Sequence, residues 1–176
     1  TDRMSGGQSA TITATAWIRP ISGSQIVSKK SNNSEGDWTL HITEEYMDQD
    51  DWNSYRRSND DDPPYLRYWS ERDFSPDTEI VSGGINWEEW QHVAFSLDQP
   101  NETVRLYIDG EMIFEATEVG GISANTDSAV EIGGMVYPDD RDDRPDYSGT
   151  ISDVRVYDRV LSETEINTIS HADDRR

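Results

Sequence analysis

Four segments in which apolar and polar residues alternate constrain the fold of this chain more than any other feature. They are residues 13–20 (TATAWIRP), 90–98 (WQHVAFSLD), 104–113 (VRLYIDGEMI) and 147–166 (YSGTISDVRVYDRVLSETEI). In the third segment, Val104, Leu106 and Ile108 alternate with more polar neighbours. Because successive residues of a strand point to opposite faces of a sheet, each segment predicts a strand with one buried face. The chain is therefore predicted to form an all-β sandwich.

The same alternation predicts ten strands along the chain. Their expected bounds are 10–19, 25–30, 37–43, 65–70, 78–82, 91–98, 103–109, 111–117, 129–136 and 148–157. Asp109-Gly110 separates two alternating runs, and this dipeptide favours a type I′ hairpin turn, which needs positive φ at both central residues. The acidic stretch from Glu44 to Pro64 does not follow the strand period, and we expect a long loop there.

The end of the chain carries a helix signal. Ser162 is followed three residues later by Glu165, which is the spacing of a capping box, in which the two side chains bond each other's backbone amides. We therefore predict a short helix at 162–169.

The four alternating segments also carry a family resemblance. The residues concerned are Trp17, Trp90-Gln91-His92-Val93-Ala94, Tyr107-Ile108-Asp109-Gly110 and the run 149–166. In order and spacing they resemble the laminin-G-like jelly rolls of the concanavalin A-like lectin/glucanase superfamily. The resemblance implies an all-β, two-sheet antiparallel jelly-roll sandwich with one short C-terminal helix, forming a single domain over residues 1–176. It indicates the fold more firmly than the function, because this sandwich hosts many activities.

The front of the chain departs from the family pattern. Members of the family open with a strand that contains a Phe-Asp-Gly-like turn well before the first Trp-bearing strand, whereas only the mostly polar residues 1–10 precede that strand here. We therefore expect either a fragment of a longer surface protein or an opening strand that is supplied from elsewhere.

Charge is the second strong signal. The 15 basic and 36 acidic residues give a net charge of −21 and a sequence pI near 4.2, and Lys29 and Lys30 are the only lysines. This bias resembles that of proteins from organisms that live in concentrated salt, where the screening length falls to roughly 3 Å at 1 M and carboxylate repulsion fades. Such a surface repels phosphate backbones, so we expect no nucleic-acid partner.

The residues that the chain lacks limit other functions. It has no cysteine, which leaves no thiol chemistry and no disulfide. It also lacks an apolar run of about 20 residues and a secretory signal, so we expect no direct membrane insertion.

A catalytic role is not favoured by the acidic residues. Glycosidases of the superfamily place alternating acids on one strand, and a retaining mechanism needs two carboxyls about 5–5.5 Å apart. No predicted strand has this pattern, and Glu88 and Glu89 are adjacent, so they would point to opposite faces. His92 is expected to be a structural residue of its strand. We therefore predict a protein that is not an enzyme.

Calcium is the one cofactor that the sequence suggests. It takes six to eight oxygen ligands, which Asp-rich loops supply. The resemblance implies a calcium site near the rim that uses Asp153, although Ser152 shifts this residue by one place from the family position. An independent candidate lies in the run 138–146, where we predict Asp139, Asp140 and Asp142 as ligands. Solvated carboxylates that adapt the surface to salt are the alternative for both sites.

Aromatic and charged residues are concentrated between positions 46 and 69. The residues are Tyr46, Trp52, Tyr55, Tyr65, Tyr68 and Trp69, with Arg56, Arg57 and Arg67 beside them. Sugars stack on aromatic faces while a few polar groups take their hydroxyls. The strand at 65–70 must turn some of these residues to the core, and Trp17, Trp38, Trp87 and Trp90 are expected to be core as well. We predict ligand contacts at Trp52, Tyr55, Arg56, Tyr65, Trp69 and Asp139.

Two sequons, at Asn32 and Asn101, lie in predicted surface turns and are candidate glycosylation sites. They are consistent with a location outside the cell or on a cell or virion surface.

These features favour a non-catalytic binding or adhesion module that recognises a glycan or glycoprotein through rim loops. The alternative is a structural subunit or spacer that packs against other subunits of a surface filament, a cell-surface layer or a virion, because an open sheet edge can accept a strand from a partner. A polysaccharide hydrolase is the third and less favoured hypothesis.

Overall fold

The computed structural model describes residues 11–22, 25–29, 38–43, 45–48, 51–57, 64–70, 84–117, 130–134 and 147–172. The strands are β1 (Thr11–Ser22), β2 (Gln25–Lys29), β3 (Trp38–Thr43), β4 (Glu45–Asp48), β5 (Asp51–Arg57), β6 (Tyr65–Ser70), β7 (Gln91–Asp98), β8 (Thr103–Ile108), β9 (Glu111–Thr117), β10 (Val130–Ile132) and β11 (Ser148–Tyr157). A 3₁₀ turn at Gln99–Asn101 joins β7 to β8, and one α-helix, α1 (Glu163–His171), follows β11.

The strands form two main sheets. One has five strands in the order β11-β1-β7-β8-β9, and the other has four in the order β10-β2-β3-β6, while β4 and β5 pair with each other. Every pairing among the described strands is antiparallel. Together with the single C-terminal helix, this arrangement confirms the predicted jelly-roll sandwich.

Most predicted strand bounds agree with the structure to within a few residues, and those of β6, β7, β9 and β11 agree fully. The strand predicted at 129–136 is shorter, because Gly133 adopts φ 76° directly after β10. The strand predicted at 78–82 lies outside the described residues. The prediction of a loop across 44–64 is wrong, since this stretch contains β4 and β5. Alternation detects strands that bury one face in a sandwich, and these two strands pair only with each other among the described strands.

The core lies between the two main sheets and is filled by alternate residues of both. Trp38 and Tyr68 from the four-stranded sheet contact Phe95 of β7, with ring centroids 5.0 Å and 4.9 Å apart. Large rings compensate for a hydrophobic content of only 33 %. The core prediction is confirmed for Trp17 and Trp38, which are fully buried. Trp87 is half-buried against the core, and Trp90 is half-buried.

Helix α1 covers the outer face of the five-stranded sheet. Leu161 and Ile166 are buried there against Ala94 of β7 and Tyr107 of β8. The predicted capping box is present, because Ser162 Oγ accepts from the Glu165 amide while the Glu165 carboxylate accepts from the Ser162 amide. Arg159 bonds the same carboxylate and, with the Ser162 groups, lowers the pKa of Glu165 to about 2. In the part of the chain that is described, no helix has the length and apolar content that crossing a membrane requires.

Candidate functional site

The motif residues of β7 and the β8–β9 turn bond each other. The His92 amide donates to Asp109 Oδ1 at 3.0 Å, and the Asp109 amide donates to the His92 carbonyl at 2.7 Å. Asp109 and Gly110 have φ values of 50° and 84°, which confirms the positive φ at both central positions that a type I′ turn needs. The Asp-Gly turn therefore has a structural task, since it binds the start of β7.

The His92 ring is buried on the outer face of the five-stranded sheet, the face on which Ala94 lies. Only 1 % of the residue is exposed, and its ring lies edge-on to Trp17 with centroids 5.6 Å apart. Burial lowers its pKa to about 4, although the negative charges of Asp109 and Asp153 act in the opposite direction. Neither ring nitrogen has a hydrogen-bond partner among the described residues. A neutral, inaccessible imidazole cannot serve as a surface acid or base, which agrees with the structural role predicted for His92.

The outer face of the four-stranded sheet differs from this covered face. Leu66 and Tyr68 of β6 point into the core, so Tyr65 and Arg67 lie on the opposite face, where both are half-buried. His41 of β3 pairs with Arg67 and is also half-buried. We call His41, Tyr65 and Arg67 the β3–β6 surface. It places a ring with a hydroxyl, a guanidinium and an imidazole side by side, which are groups that stack on sugar rings or bond to their hydroxyls.

The β4–β5 hairpin starts at one end of the β3–β6 surface. Thr43, the last residue of β3, pairs with Tyr65, and β4 begins two residues later at Glu45. The predicted ligand residues Trp52, Tyr55 and Arg56 all lie in β5. Tyr55 pairs with Met47 of β4 and Arg56 with Tyr46. Along the chain, the hairpin that carries these three residues therefore connects β3 to β6, two paired strands of the sheet that carries Tyr65.

Trp69, another predicted ligand residue, lies in β6, where it pairs with Thr39 of β3. Beside it, the Thr39 hydroxyl and the Ser28 hydroxyl of β2 are buried. Tyr65 and Trp69 thus lie on the same strand as Arg67. Asp139 lies outside the described residues.

Asp153, predicted as a calcium ligand, lies in β11 with φ 49°. Its Oδ1 and Oδ2 accept from Arg155 Nε and Nη2 at 2.9 Å and 2.7 Å. Among the residues that the structure describes, no group of three or more Asp, Glu, His or Cys side chains could hold a metal ion. The carboxylate of Asp153 therefore does not fit a calcium site in this arrangement, because it faces a cationic guanidinium and lacks companion acidic side chains among the described residues.

The remaining predicted positions are distributed as follows. Asp140 and Asp142, like Asn32, lie outside the described residues. Asn101 is exposed in the turn between β7 and β8, where its Nδ2 donates to Asp98 Oδ2 at 2.8 Å. Glu88 and Glu89 are exposed and lie in a turn instead of a strand.

Two functional candidates were missed from the sequence. His41 lies between the core residues Leu40 and Ile42, so strict alternation along β3 would have placed it on the outer face with Arg67. Arg155, two residues after Asp153, was not recognised as its partner. The spacing of two was visible, but the bulge that brings the side chains together was not.

The sheets, the helix and their order define a jelly-roll domain of the lectin and glucanase type. Residues 2–167 match the Laminin_G_3 family of the concanavalin A-like lectin/glucanases superfamily, and the chain belongs to that family. No curated protein sequence shows a significant match.

Solved structures with the same fold include three that cover most of this chain. A heptameric SAP-like pentraxin from Limulus polyphemus is 16 % identical with a TM-score of 0.65, over 92 % of this chain and 70 % of that one. Domain 4 of a GH43 extracellular arabinanase from Geobacillus stearothermophilus, in complex with arabinotriose, is 16 % identical with a TM-score of 0.59, over 93 % and 68 %. The CBM40 of a Ruminococcus gnavus IT-sialidase, bound to α2,3 sialyllactose, is 18 % identical with a TM-score of 0.56, over 92 % and 83 %.

Proposed function

We propose that this chain is a non-catalytic glycan-binding module that acts outside the cell or on a cell or virion surface. The observation that carries the proposal is the placement of the β4–β5 hairpin, which begins where the β3–β6 surface ends. One continuous stretch of chain thereby combines the aromatic and basic residues of β5 with those of β6. Aromatic rings with a few polar groups beside them are typical of carbohydrate sites.

Two of the solved structures of this fold support the ligand class. The arabinanase domain is in complex with arabinotriose, and the sialidase module is bound to sialyllactose. Both show that a domain of this architecture can bind an oligosaccharide. A glycan or a glycoprotein is therefore the partner that we assign to this chain.

A binding role also agrees with the contacts of three described acidic residues. The carboxylates of Asp153, Glu115 and Glu165 are each bonded to an arginine, at 2.6 to 2.9 Å. Hydrolysis of a glycosidic bond needs two carboxyls, one of them able to donate a proton. Hydrogen bonds from Arg159 and Ser162 lower the pKa of Glu165 to about 2, so this carboxylate is a poor proton donor.

The first test is a glycan array probed in concentrated NaCl, followed by calorimetry with the strongest oligosaccharide. We expect Trp52→Ala and Tyr65→Ala each to weaken binding by about 10-fold, which corresponds to about 1.4 kcal/mol. Met112→Ala is the matched control, because Met112 is exposed on β9 of the other sheet. Thermal unfolding of each variant shows whether it remains folded.

Two results would contradict the proposal. One is binding that persists unchanged in both aromatic variants, which would place the ligand elsewhere. The other is the absence of any array signal together with a molar mass that rises with concentration in light scattering. That outcome would favour the structural subunit.

A further inference from the structure

Strand β11 contains a bulge at the position where the family resemblance implies a calcium ligand. Ser152 pairs with Trp17 and Arg155 with Thr15, so Asp153 and Val154 face the single residue Ala16. This two-against-one count defines a β-bulge, and the φ of 49° at Asp153 is the left-handed conformation that the first residue of a G1 bulge adopts. Ser152 therefore takes the position paired with Trp17, which explains in structural terms why Asp153 is shifted by one place from the family position.

The bulge directs the Asp153 carboxylate to the guanidinium of Arg155. Two hydrogen bonds, of 2.9 Å and 2.7 Å, join the two groups in a fork. The Asp153 side chain is 25 % exposed and the Arg155 side chain is 41 % exposed. Hydrogen bonds to Asp153 and then to Tyr157 raise the pKa of Arg155 above its ordinary value. Bidentate pairs of this kind fix geometry as well as charge.

A calcium ion at Asp153 would meet two obstacles. It needs six to eight oxygen ligands, and the described residues place no group of three or more Asp, Glu, His or Cys side chains that could supply them. The ion would then lie next to a guanidinium of the same charge sign. The arginine already supplies the positive charge that a bound metal would bring to this carboxylate.

We propose that Arg155 takes the place of a metal ion at the β11 bulge, so that an ion pair occupies the carboxylate and calcium has no role at Asp153. The inference concerns the face opposite to the proposed glycan site and does not rest on glycan binding. Any calcium that the protein binds would then be held by other residues, and the sequence-based prediction at Asp139, Asp140 and Asp142 serves as the comparison in the test.

The test is thermal unfolding in concentrated KCl, after chelation, with CaCl₂ as the titrant. Wild type is compared with Asp153→Asn and with the triple variant Asp139→Asn/Asp140→Asn/Asp142→Asn. Asparagine tolerates the left-handed backbone about as well as aspartate does, so Asp153→Asn keeps the backbone but removes the charge and one of the two acceptors that Arg155 uses. We expect calcium to shift the melting temperatures of wild type and Asp153→Asn equally, whether that shift is zero or comes from another site.

A double-mutant cycle tests the ion pair directly. We expect Asp153→Asn and Arg155→Gln each to lower the melting temperature by roughly 1–4 °C, the range for a partly exposed pair in a chain of this size. The double variant should show little further loss, because either single change already removes the pair.

Two outcomes would overturn the inference. The first is a saturable calcium-induced rise in melting temperature that Asp153→Asn abolishes and the triple variant retains, because it would make Asp153 a calcium ligand. The second is strict additivity in the double-mutant cycle, because it would mean that Arg155 and Asp153 do not stabilise each other. Neither outcome depends on whether the protein binds a glycan.

Discussion

The two main sheets turn very different outer faces away from their shared core. That of the five-stranded sheet is covered by α1, and motif residues fix the cover in place. Thr13 Oγ1 donates to the Arg159 carbonyl at 2.9 Å and accepts from the Leu161 amide at 3.0 Å. That of the four-stranded sheet carries half-buried Tyr65, Arg67 and His41, and the chain between its strands β3 and β6 forms the β4–β5 hairpin.

The difference teaches where the family motifs act. His92, Asp109 and Gly110 all serve the covered face, because they bond the β8–β9 turn to β7 and let α1 approach. They build a scaffold. The residues that we assign to binding lie in the four-stranded sheet and in the β4–β5 hairpin, outside the four motif segments. The comparison therefore predicts large stability effects on the first face and binding effects on the second.

The largest expected effect is at Gly110. A Cβ there would collide with Ser170 Oγ and lie 2.9 Å from the Cα of Asn167, in a backbone with φ +84°. We expect Gly110→Ala to reduce the free energy of unfolding by about 3 kcal/mol, since it adds left-handed strain to a clash with α1. The control is Gly134→Ala, because nothing lies within 4 Å of its added Cβ. Equal urea midpoints for the two variants would show that α1 does not press on the turn.

An effect of similar size is expected from acid at His92. Its pKa is about 4 in the folded protein against 6.5 as the ordinary value, so the unfolded chain binds the proton more readily. Stability should be unaffected by this group above pH 6.5 and should fall as the pH drops from 6.5 to 4, by about 3 kcal/mol in total.

The matched variant for this prediction is His92→Gln, which cannot titrate. Urea unfolding at pH 7, 5.5 and 4 in concentrated salt should show a smaller loss for the variant than for wild type. Parallel stability curves for the two proteins would mean that another group causes the acid sensitivity.

A smaller effect separates two threonines of β1. Thr13→Val would leave the Leu161 amide and the Arg159 carbonyl without their partner near a buried contact, and we expect a loss of about 2 kcal/mol. Thr11 makes one exposed bond of 3.3 Å to the Asp158 carbonyl, so Thr11→Val should change stability by less than about 0.5 kcal/mol. Denaturant titration of both variants compares the two losses of stability. A loss at Thr11 as large as that at Thr13 would mean that the two hydrogen bonds of Thr13 do not hold the segment before α1 in place.

The smallest effect concerns the capping box of α1. Ser162→Ala removes the hydroxyl that accepts from the Glu165 amide, and such a change costs about 1 kcal/mol. Thr164→Ala, at an exposed position in the first turn of the same helix, should be neutral or slightly stabilising. Helix content and melting temperature measured on both variants show whether the capping box stabilises α1 on the five-stranded sheet.

Sequence reasoning predicted the scaffold well because the scaffold obeys local rules. Alternation located β7 and β11 to the residue, and the spacing from Ser162 to Glu165 located α1. It failed at β4 and β5, which pair with each other and therefore carry no imprint of the sandwich core. It also missed the Asp153–Arg155 pair, since a bulge depends on the register between two distant strands. The candidate site was predicted only in part, as Tyr65 and Trp69 came from the pattern of aromatics while His41 did not.

The most direct test of the division between scaffold and binding face is a ¹⁵N-HSQC titration of the labelled protein. The titrant is the oligosaccharide that gives the strongest array signal, in concentrated salt. Saturable shift changes should concentrate in residues 38–69, and residues 91–117 and 148–171 should remain unchanged. Changes centred on β11, α1 and the Asp109-Gly110 turn, with none in β5 or β6, would contradict the account.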